Sequence, residues 1–331
     1  MAAARRWTSL VFTGQGSQRV GMLQDLLDQW PQHVAPLLDE AEAVMKRNLK
    51  NLMLQGPQET LTDTSIAQPA ILTHSTAVLR ILQHEADFDV ASEVHRVLGH
   101  SLGQFTALVA AEALSFRDAI DLVHFRGTAM KDAMAGSDKG AMAALFPVDP
   151  AVANDICKSV QESTGLVCSV ANYNSSKQTV ISGHDEAVEA AVALAKSRKV
   201  RRAVMLDVSA PFHCSLMQPA ADALATRLCG ISFQRPIVPV ICNVTAKAMD
   251  PAELRSALVD QVTQPVRWSD SVDFCIQRDT QGSDKVEFLE LGFGGVLTGL
   301  IQQHAPTSAS CTPLGTADDV RKWIAARNAA A

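Results

Sequence analysis

The sequence predicts an α/β fold, a large domain built on a parallel sheet with a small βαββαβ domain inserted into it. Three observations predict it. Short apolar runs alternate with helical patterns along most of the 331 residues. A strand, a glycine-bounded turn and a helix follow one another around Ser101. From about residue 138 to 206 the order becomes strand, helix, strand, strand, helix, strand, which is the ferredoxin-like motif. The large domain is therefore expected at 1–137 and 207–331, and the small domain at 138–206.

The elements follow from local signals. Residues 9–12 read as a buried strand ending at Gly14 and Gly16. Residues 97–99 form a second strand, followed by a helix from Leu102 to about Ala113. Ser115 and Asp118 make an S-x-x-D cap for the next helix, which runs to about Met134 and stops near Gly136. In the middle, strands are expected at 141–146, 167–171, 178–182 and 201–206, and helices at 150–163 and 185–197. Asn174-Ser175-Ser176 supplies the hairpin turn. At Asp250-Pro251-Ala252-Glu253 an N-cap, a proline and an acid open a helix that stops before Pro265. A late strand over 286–291 closes on Gly292-Phe293-Gly294-Gly295 and leads into a helix over 296–304.

Composition narrows the function. At 47% hydrophobic and 19% charged residues, the chain is a compact globule rather than a disordered one. A net charge of −6 argues against a general nucleic-acid binder, which needs a basic face. The seven cysteines are odd in number and show no C-x-x-C spacing, so neither a disulfide framework nor a structural zinc site is expected, and a reducing compartment is. No apolar run approaches the roughly 18–20 residues that cross a bilayer. The opening MAAARRW is too short for a secretory signal, and Arg5 and Arg6 are compatible with a trimmed organelle-targeting peptide. Cytoplasm and mitochondrial matrix both fit.

Gly99-His100-Ser101-Leu102-Gly103 fits G-x-S-x-G in the strand-to-helix context that a nucleophile elbow requires. The turn is so tight that the positions two before and two after the serine have no room for side chains. A serine hydroxyl needs a base. His213, in the loop after the 201–206 strand, lies where catalytic loops sit in α/β sheets. It reads equally well as a buried, hydrogen-bonded histidine. His33, His74, His84, His95 and His124 fall on polar segments and are expected at the surface. Arg126 lies on the apolar stripe of Ala119, Leu122, Val123, Met130 and Ala133. A guanidinium there needs an anionic partner, either a protein carboxylate or a carboxylate of the substrate. Thr13-Gly14-Gln15-Gly16-Ser17-Gln18 lacks G-x-G-x-x-G and the Walker lysine, which argues against a nucleotide site. Its backbone N–H groups suit an oxyanion hole.

These residues carry a resemblance. FTGQGSQRVGM, GHSLGQFTALVAAEAL, HFRGTAM, APFHCSLMQPAA, DQVTQPVRW and ELGFGGVLTGL occur in the order seen in malonyl-CoA:acyl carrier protein transacylases. Acyltransferase domains of fatty-acid and polyketide synthases are similar. The resemblance runs from about Leu10 to Gln302. It implies an α/β-hydrolase-like large domain and the inserted ferredoxin-like domain. It implies transfer of malonyl from malonyl-CoA to the phosphopantetheine thiol of an acyl carrier protein through a malonyl-serine, in fatty acid or polyketide biosynthesis. No metal or bound redox cofactor, no nucleic acid and no membrane are implied.

Carried over by position, Ser101 matches the acylated serine, His213 its general base and Arg126 the arginine that holds the malonyl carboxylate. Gln15 and Leu102 match the residues whose backbone N–H groups form the oxyanion hole. Gln261 matches the residue whose carbonyl orients the histidine, so no acidic third member is expected. Phe212 resembles the aromatic that crowds out an α-methyl branch. Three positions depart from the family pattern. Thr13 and Phe293 stand where prolines are usual, and Gln104 replaces a glutamate.

Lys196, Arg198, Lys199, Arg201 and Arg202 form a basic cluster. It suits either an acidic carrier protein or a solvated helix end favoured by the helix dipole. Two rivals are weaker. An esterase of the α/β-hydrolase type needs an HGGG loop and a late catalytic histidine, and the chain offers only His304, at a helix end. A catalytically silent carrier-binding subunit should have lost Ser101, His213 or Arg126, and all three are present.

Overall fold

The computed structural model describes residues 8–134, 139–279 and 285–330. Arg5, Arg6, the helix stop near Gly136 and the domain boundary at 138 lie outside them. The strands are β1 (Thr8–Phe12), β2 (Val94–Gly99), β3 (Gly140–Phe146), β4 (Cys168–Ser175), β5 (Gln178–His184), β6 (Arg202–Met205), β7 (Val240–Ile241), β8 (Val286–Leu291) and β9 (Ala309–Leu314). The protein is mixed α/β, with one parallel and one antiparallel sheet. The chain divides into two compact units. The first comprises Met1–Phe125, Ile231–Ile241 and Phe274–Ala331, and the second Arg126–Gly230 and Cys242–Asp273.

The first unit holds the parallel sheet, in the order β7-β2-β1-β8-β9. Its central strands are covered on both faces, which is why β1 reads as a continuous apolar run rather than an alternating one. Phe12 pairs with both Gly99 and Leu291, so three adjacent strands end level. The loops after β1, β2 and β8 therefore leave from one carboxyl edge, the usual place for ligands in such sheets. The helix Gly103–Ala110 ends before the expected Ala113. Glu112 adopts a left-handed φ of 56°, and the N–H groups of Ala113 and Leu114 both return to the Leu108 carbonyl, closing the helix without a glycine to announce it. Ser115 and Asp118 form their reciprocal cap: the Asp118 N–H donates to Ser115 Oγ at 3.0 Å, and the Ser115 hydroxyl donates to Asp118 at 2.7 Å. Glu290 is buried at the end of β8. It accepts from the N–H groups of Leu297 and Thr298 and from the Thr298 hydroxyl, which ties the glycine loop to the start of the helix Val296–His304. Burial pushes the Glu290 carboxyl pKa upward.

His74 departs from its expected surface position. It is fully buried on the helix Thr64–Glu85, which is enclosed along nearly its whole length, so its polar residues mark no solvent face. His74 Nε2 lies 3.1 Å from the Gly315 carbonyl, and its ring meets Phe293 edge-on at 5.9 Å between centroids. Thr13 packs against Gly292, whose missing Cβ leaves room for the threonine side chain. The two proline departures thus lie in neighbouring loops of this unit.

The second unit holds the antiparallel sheet, in the order β4-β5-β3-β6, which is the ferredoxin-like arrangement for a βαββαβ chain. The helices Pro150–Thr164 and Asp185–Ser197 supply its apolar layer through Ile156, Val160, Val188 and Ala191. Asp149 caps the first by accepting the Ala151 N–H, and Gly165 ends it in the left-handed region. The hairpin turn is Ser176-Lys177 rather than Asn174-Ser175-Ser176. Ser175 Oγ accepts the Lys177 N–H, and Asn174 and Ser175 remain in β4, where both are buried. Asp250 caps a single 3-10 turn, Pro251–Glu253, that continues into the helix Leu254–Thr263. None of the described helices is long and apolar enough to cross a membrane. Among the described residues none of the cysteines forms a disulfide.

Candidate active site

In the first unit, the turn after β2 places Ser101 at φ 50°, a left-handed conformation that non-glycine residues rarely adopt. The glycines explain how the turn closes. A Cβ on Gly99 would collide with the backbone of Gly103, and one on Gly103 would collide with the Phe12 carbonyl. The His100 N–H donates to the Phe12 carbonyl at 3.0 Å, pinning the elbow to the end of β1. The Gly103 and Gln104 N–H groups return to His100 and Ser101, so the helix begins directly under the serine.

The loop after β1 packs on this elbow. Gly14 approaches the His100 carbonyl so closely that a Cβ would not fit. The loop is held internally: the Gly16 N–H donates to Gln18 Oε1 at 2.7 Å and the Ser17 hydroxyl to the Gly14 carbonyl at 3.0 Å. The Gln15 side chain is fixed from outside. Thr64 Oγ1 donates to Gln15 Oε1 at 2.9 Å and itself accepts from Gln68 Nε2 at 2.9 Å. Among the described residues the backbone N–H groups of Gln15 and Leu102 donate to no protein acceptor. Two such donors beside an elbow serine can take up the charge of a tetrahedral oxyanion.

In the second unit, the edge of β4 is bridged by Val266, just past the helix that carries Gln261. The Arg267 N–H donates to the Asn243 carbonyl at 2.8 Å. Gln261 joins Asn243, Arg126 and His213 through its own side chain and carbonyl. His213 Nδ1 lies 2.7 Å from the Gln261 carbonyl oxygen. A carbonyl only accepts, so Nδ1 carries the proton and Nε2 presents its lone pair, as a general base must. His213 is also left-handed, at φ 60°, and follows the buried Phe212. Arg126 is 2% exposed, and its Nη2 donates to Gln261 Oε1 at 3.0 Å. Burial pushes the guanidinium pKa down to about 9, still above neutrality, so the charge is kept. Gln261 Nε2 in turn donates to Asn243 Oδ1 at 3.0 Å.

Every site residue expected from the sequence is therefore located. Ser101, Leu102 and Gln15 fall in the first unit, and His213, Phe212, Arg126 and Gln261 in the second. Thr64, Gln68 and Asn243 were not expected. Their signals are faint: two of the many polar residues of a helix that is buried along nearly its whole length, and a lone amide at the end of an apolar run.

A parallel α/β sheet with a strained elbow serine at its carboxyl edge and backbone N–H groups beside it that donate to no protein acceptor among the described residues fits an acyl-transferring enzyme. Residues 9–308 match the acyl transferase domain family, and the chain belongs to it. It is 42% identical over 301 residues to the malonyl CoA-acyl carrier protein transacylase of Salmonella typhimurium, covering 90% of this chain and 93% of that one. The Bacillus subtilis protein of the same description is 40% identical over 299 residues, with 89% of each chain covered. Among solved structures, the acyl-carrier-protein-S-malonyltransferase of Bartonella henselae superposes with a TM-score of 0.90 at 36% identity, covering 97% of this chain and 99% of that one. A malonyl-transacylase solved in complex with a type II polyketide-synthase acyl carrier protein gives 0.89 at 38% identity, with 97% and 99% covered.

Proposed function

We propose that the protein moves a malonyl group from malonyl-CoA to the phosphopantetheine thiol of an acyl carrier protein. The observation that carries the malonyl reading is the buried Arg126 guanidinium, joined to the same Gln261 that orients His213. An acyl group ending in a carboxylate gives that guanidinium a bidentate partner, and an acetyl group does not.

In this mechanism His213 Nε2 takes the proton from Ser101 Oγ as the oxygen attacks the thioester carbon. The carbonyl oxygen becomes an oxyanion held by the Gln15 and Leu102 N–H groups. The C–S bond breaks, and the CoA sulfur leaves with the proton from His213. The carrier thiol then gives its proton to His213 and attacks the malonyl-serine, and Ser101 regains its proton as the ester breaks. Phe212 narrows the acyl site against an α-methyl branch.

Intact mass and peptide mapping after mixing with malonyl-CoA test the reading. The expected result is one malonyl group on Ser101, absent in Ser101→Ala, with ping-pong kinetics. Malonyl transfer by Ser101→Ala at a near-normal rate would overturn it.

The carrier docks through the basic cluster beside β6 in this reading. Lys199, Arg201 and Arg202 are exposed there next to the exposed Met205 and Leu206, which suits an acidic partner with an apolar ridge. We also read 138–206 as an inserted domain and 1–137 with 207–331 as the catalytic one. Support comes from the small sheet's hydrophobic cluster, whose members all lie between Ala141 and Ala203. The reducing compartment, cytoplasm or mitochondrial matrix, is read from the seven cysteines, none of which forms a disulfide among the described residues.

A further inference from the structure

Gln261 serves two partners through different atoms. Its backbone carbonyl meets His213, while its side-chain amide meets Arg126. An amide has one accepting end and one donating end, and a guanidinium only donates. Reversing the Gln261 amide would set its NH2 group against Arg126, donor facing donor. The observed orientation is the one in which Nε2 finds an acceptor of its own, Asn243 Oδ1. Asn243 and Gln261 are fully buried, so water is a poor substitute for a lost bond. Asn243 is itself held through its backbone by Arg267.

We propose that Asn243 is a positioning residue for acyl selectivity: by fixing the Gln261 amide, it presets the Arg126 guanidinium for the carboxylate of the acyl group. The inference rests on the reading of Arg126 as the carboxylate-holding residue. Because His213 is held by the backbone carbonyl, loss of the Asn243 acceptor loosens the arginine and leaves the base in place.

The test compares wild type, Asn243→Leu, Asn243→Asp and Arg126→Ala. The readouts are kcat and KM for malonyl-CoA and acetyl-CoA, and the pH midpoint of Ser101 acylation. Asn243→Leu is expected to lower the malonyl-to-acetyl ratio of kcat/KM about tenfold, mostly through KM for malonyl-CoA, with the pH midpoint unmoved. Asn243→Asp keeps an acceptor for Nε2 and should recover most of the ratio. If the leucine variant does not fold, Asn243→Ala removes the same acceptor without added bulk and carries the same expectation. An unchanged ratio, an equal loss on both substrates or a moved pH midpoint in the folded variant overturns the inference. Arg126→Ala separates the two levels. If it leaves the ratio unchanged, the carboxylate-holding role itself fails. If it collapses the ratio while Asn243→Leu does not, only the role of Asn243 fails.

Discussion

Ser101 and His213 both hold left-handed backbone conformations without being glycine, at φ 50° and 60°. Each such residue costs about 1–3 kcal/mol and persists only when its surroundings over-determine it. At Ser101 the surroundings are two glycines that admit close backbone contact, and at His213 a 2.7 Å bond to the Gln261 carbonyl. In the proposed mechanism that bond takes the place of an acidic third member. Asp207, the nearest preceding acid in sequence, is exposed. Asp207→Asn is therefore expected to keep kcat within about tenfold, whereas disrupting a true triad aspartate costs on the order of 10⁴. Steady-state kinetics of the purified variant decide, and a loss of the larger size would restore a triad.

At the scale of elements, the site on the first unit is a property of strand ends. β1, β2 and β8 stop level, and each is followed by a loop in which glycine permits a close approach, by backbone after β1 and β2 and by the Thr13 side chain after β8, that other residues forbid. The helix after Ser101 begins against the end of β1, because Gly103 lies on the Phe12 carbonyl. Gly103→Ala is expected to force these elements apart. Overpacking of this kind costs about 1–3 kcal/mol, seen as a lower melting temperature. Acylation of Ser101 should fall further than stability alone explains, since the shift moves the Leu102 N–H with the helix. A folded variant with normal acylation would show that the close approach is dispensable.

Two predictions concern the whole molecule. The first is about the carrier. Arg198 pairs with Asp155 at 3.0 Å, so part of the basic cluster is already engaged within the chain. Lys199→Glu with Arg201→Glu is the cleaner probe. KM for the carrier should rise at low salt and converge on wild type as salt is added, while KM for malonyl-CoA stays put. Carrier kinetics unchanged at low salt would leave the cluster as a solvated helix end. The second concerns pH. Burial lowers the His74 pKa from 6.5 to about 4, against a smaller raising effect of Asp25. The unfolded chain then binds more protons than the folded one between these values. The contribution of neutral His74 is fully present above about pH 6.5 and is lost as pH falls towards 4. Over that window it amounts to about 3 kcal/mol. Denaturant midpoints at pH 7, 5.5 and 4 should fall more steeply for wild type than for His74→Gln, and parallel curves would refute the linkage.

Much of this was legible in the sequence, because short-range patterns carry it. The apolar run of β1, the G-x-S-x-G turn, the Ser115 cap and the βαββαβ order are each encoded within a few neighbouring residues. So was the burial of Arg126, read from a helical stripe of which Ala119, Leu122, Val123 and Met130 are buried and Ala133, near the helix end, is half-buried. Tertiary structure decided the rest. The order of the parallel strands, the burial of His74 against Gly315, the Thr64 bond to Gln15 and the chain from Asn243 through Gln261 to Arg126 join residues far apart in sequence. Arg126 and Gln261 are separated by 135 positions, and His74 and Gly315 by 241. No local period reports which distant carbonyl a buried side chain will meet. Only packing the elements removes the water that would otherwise satisfy these groups, and so makes each polar residue find its partner within the protein.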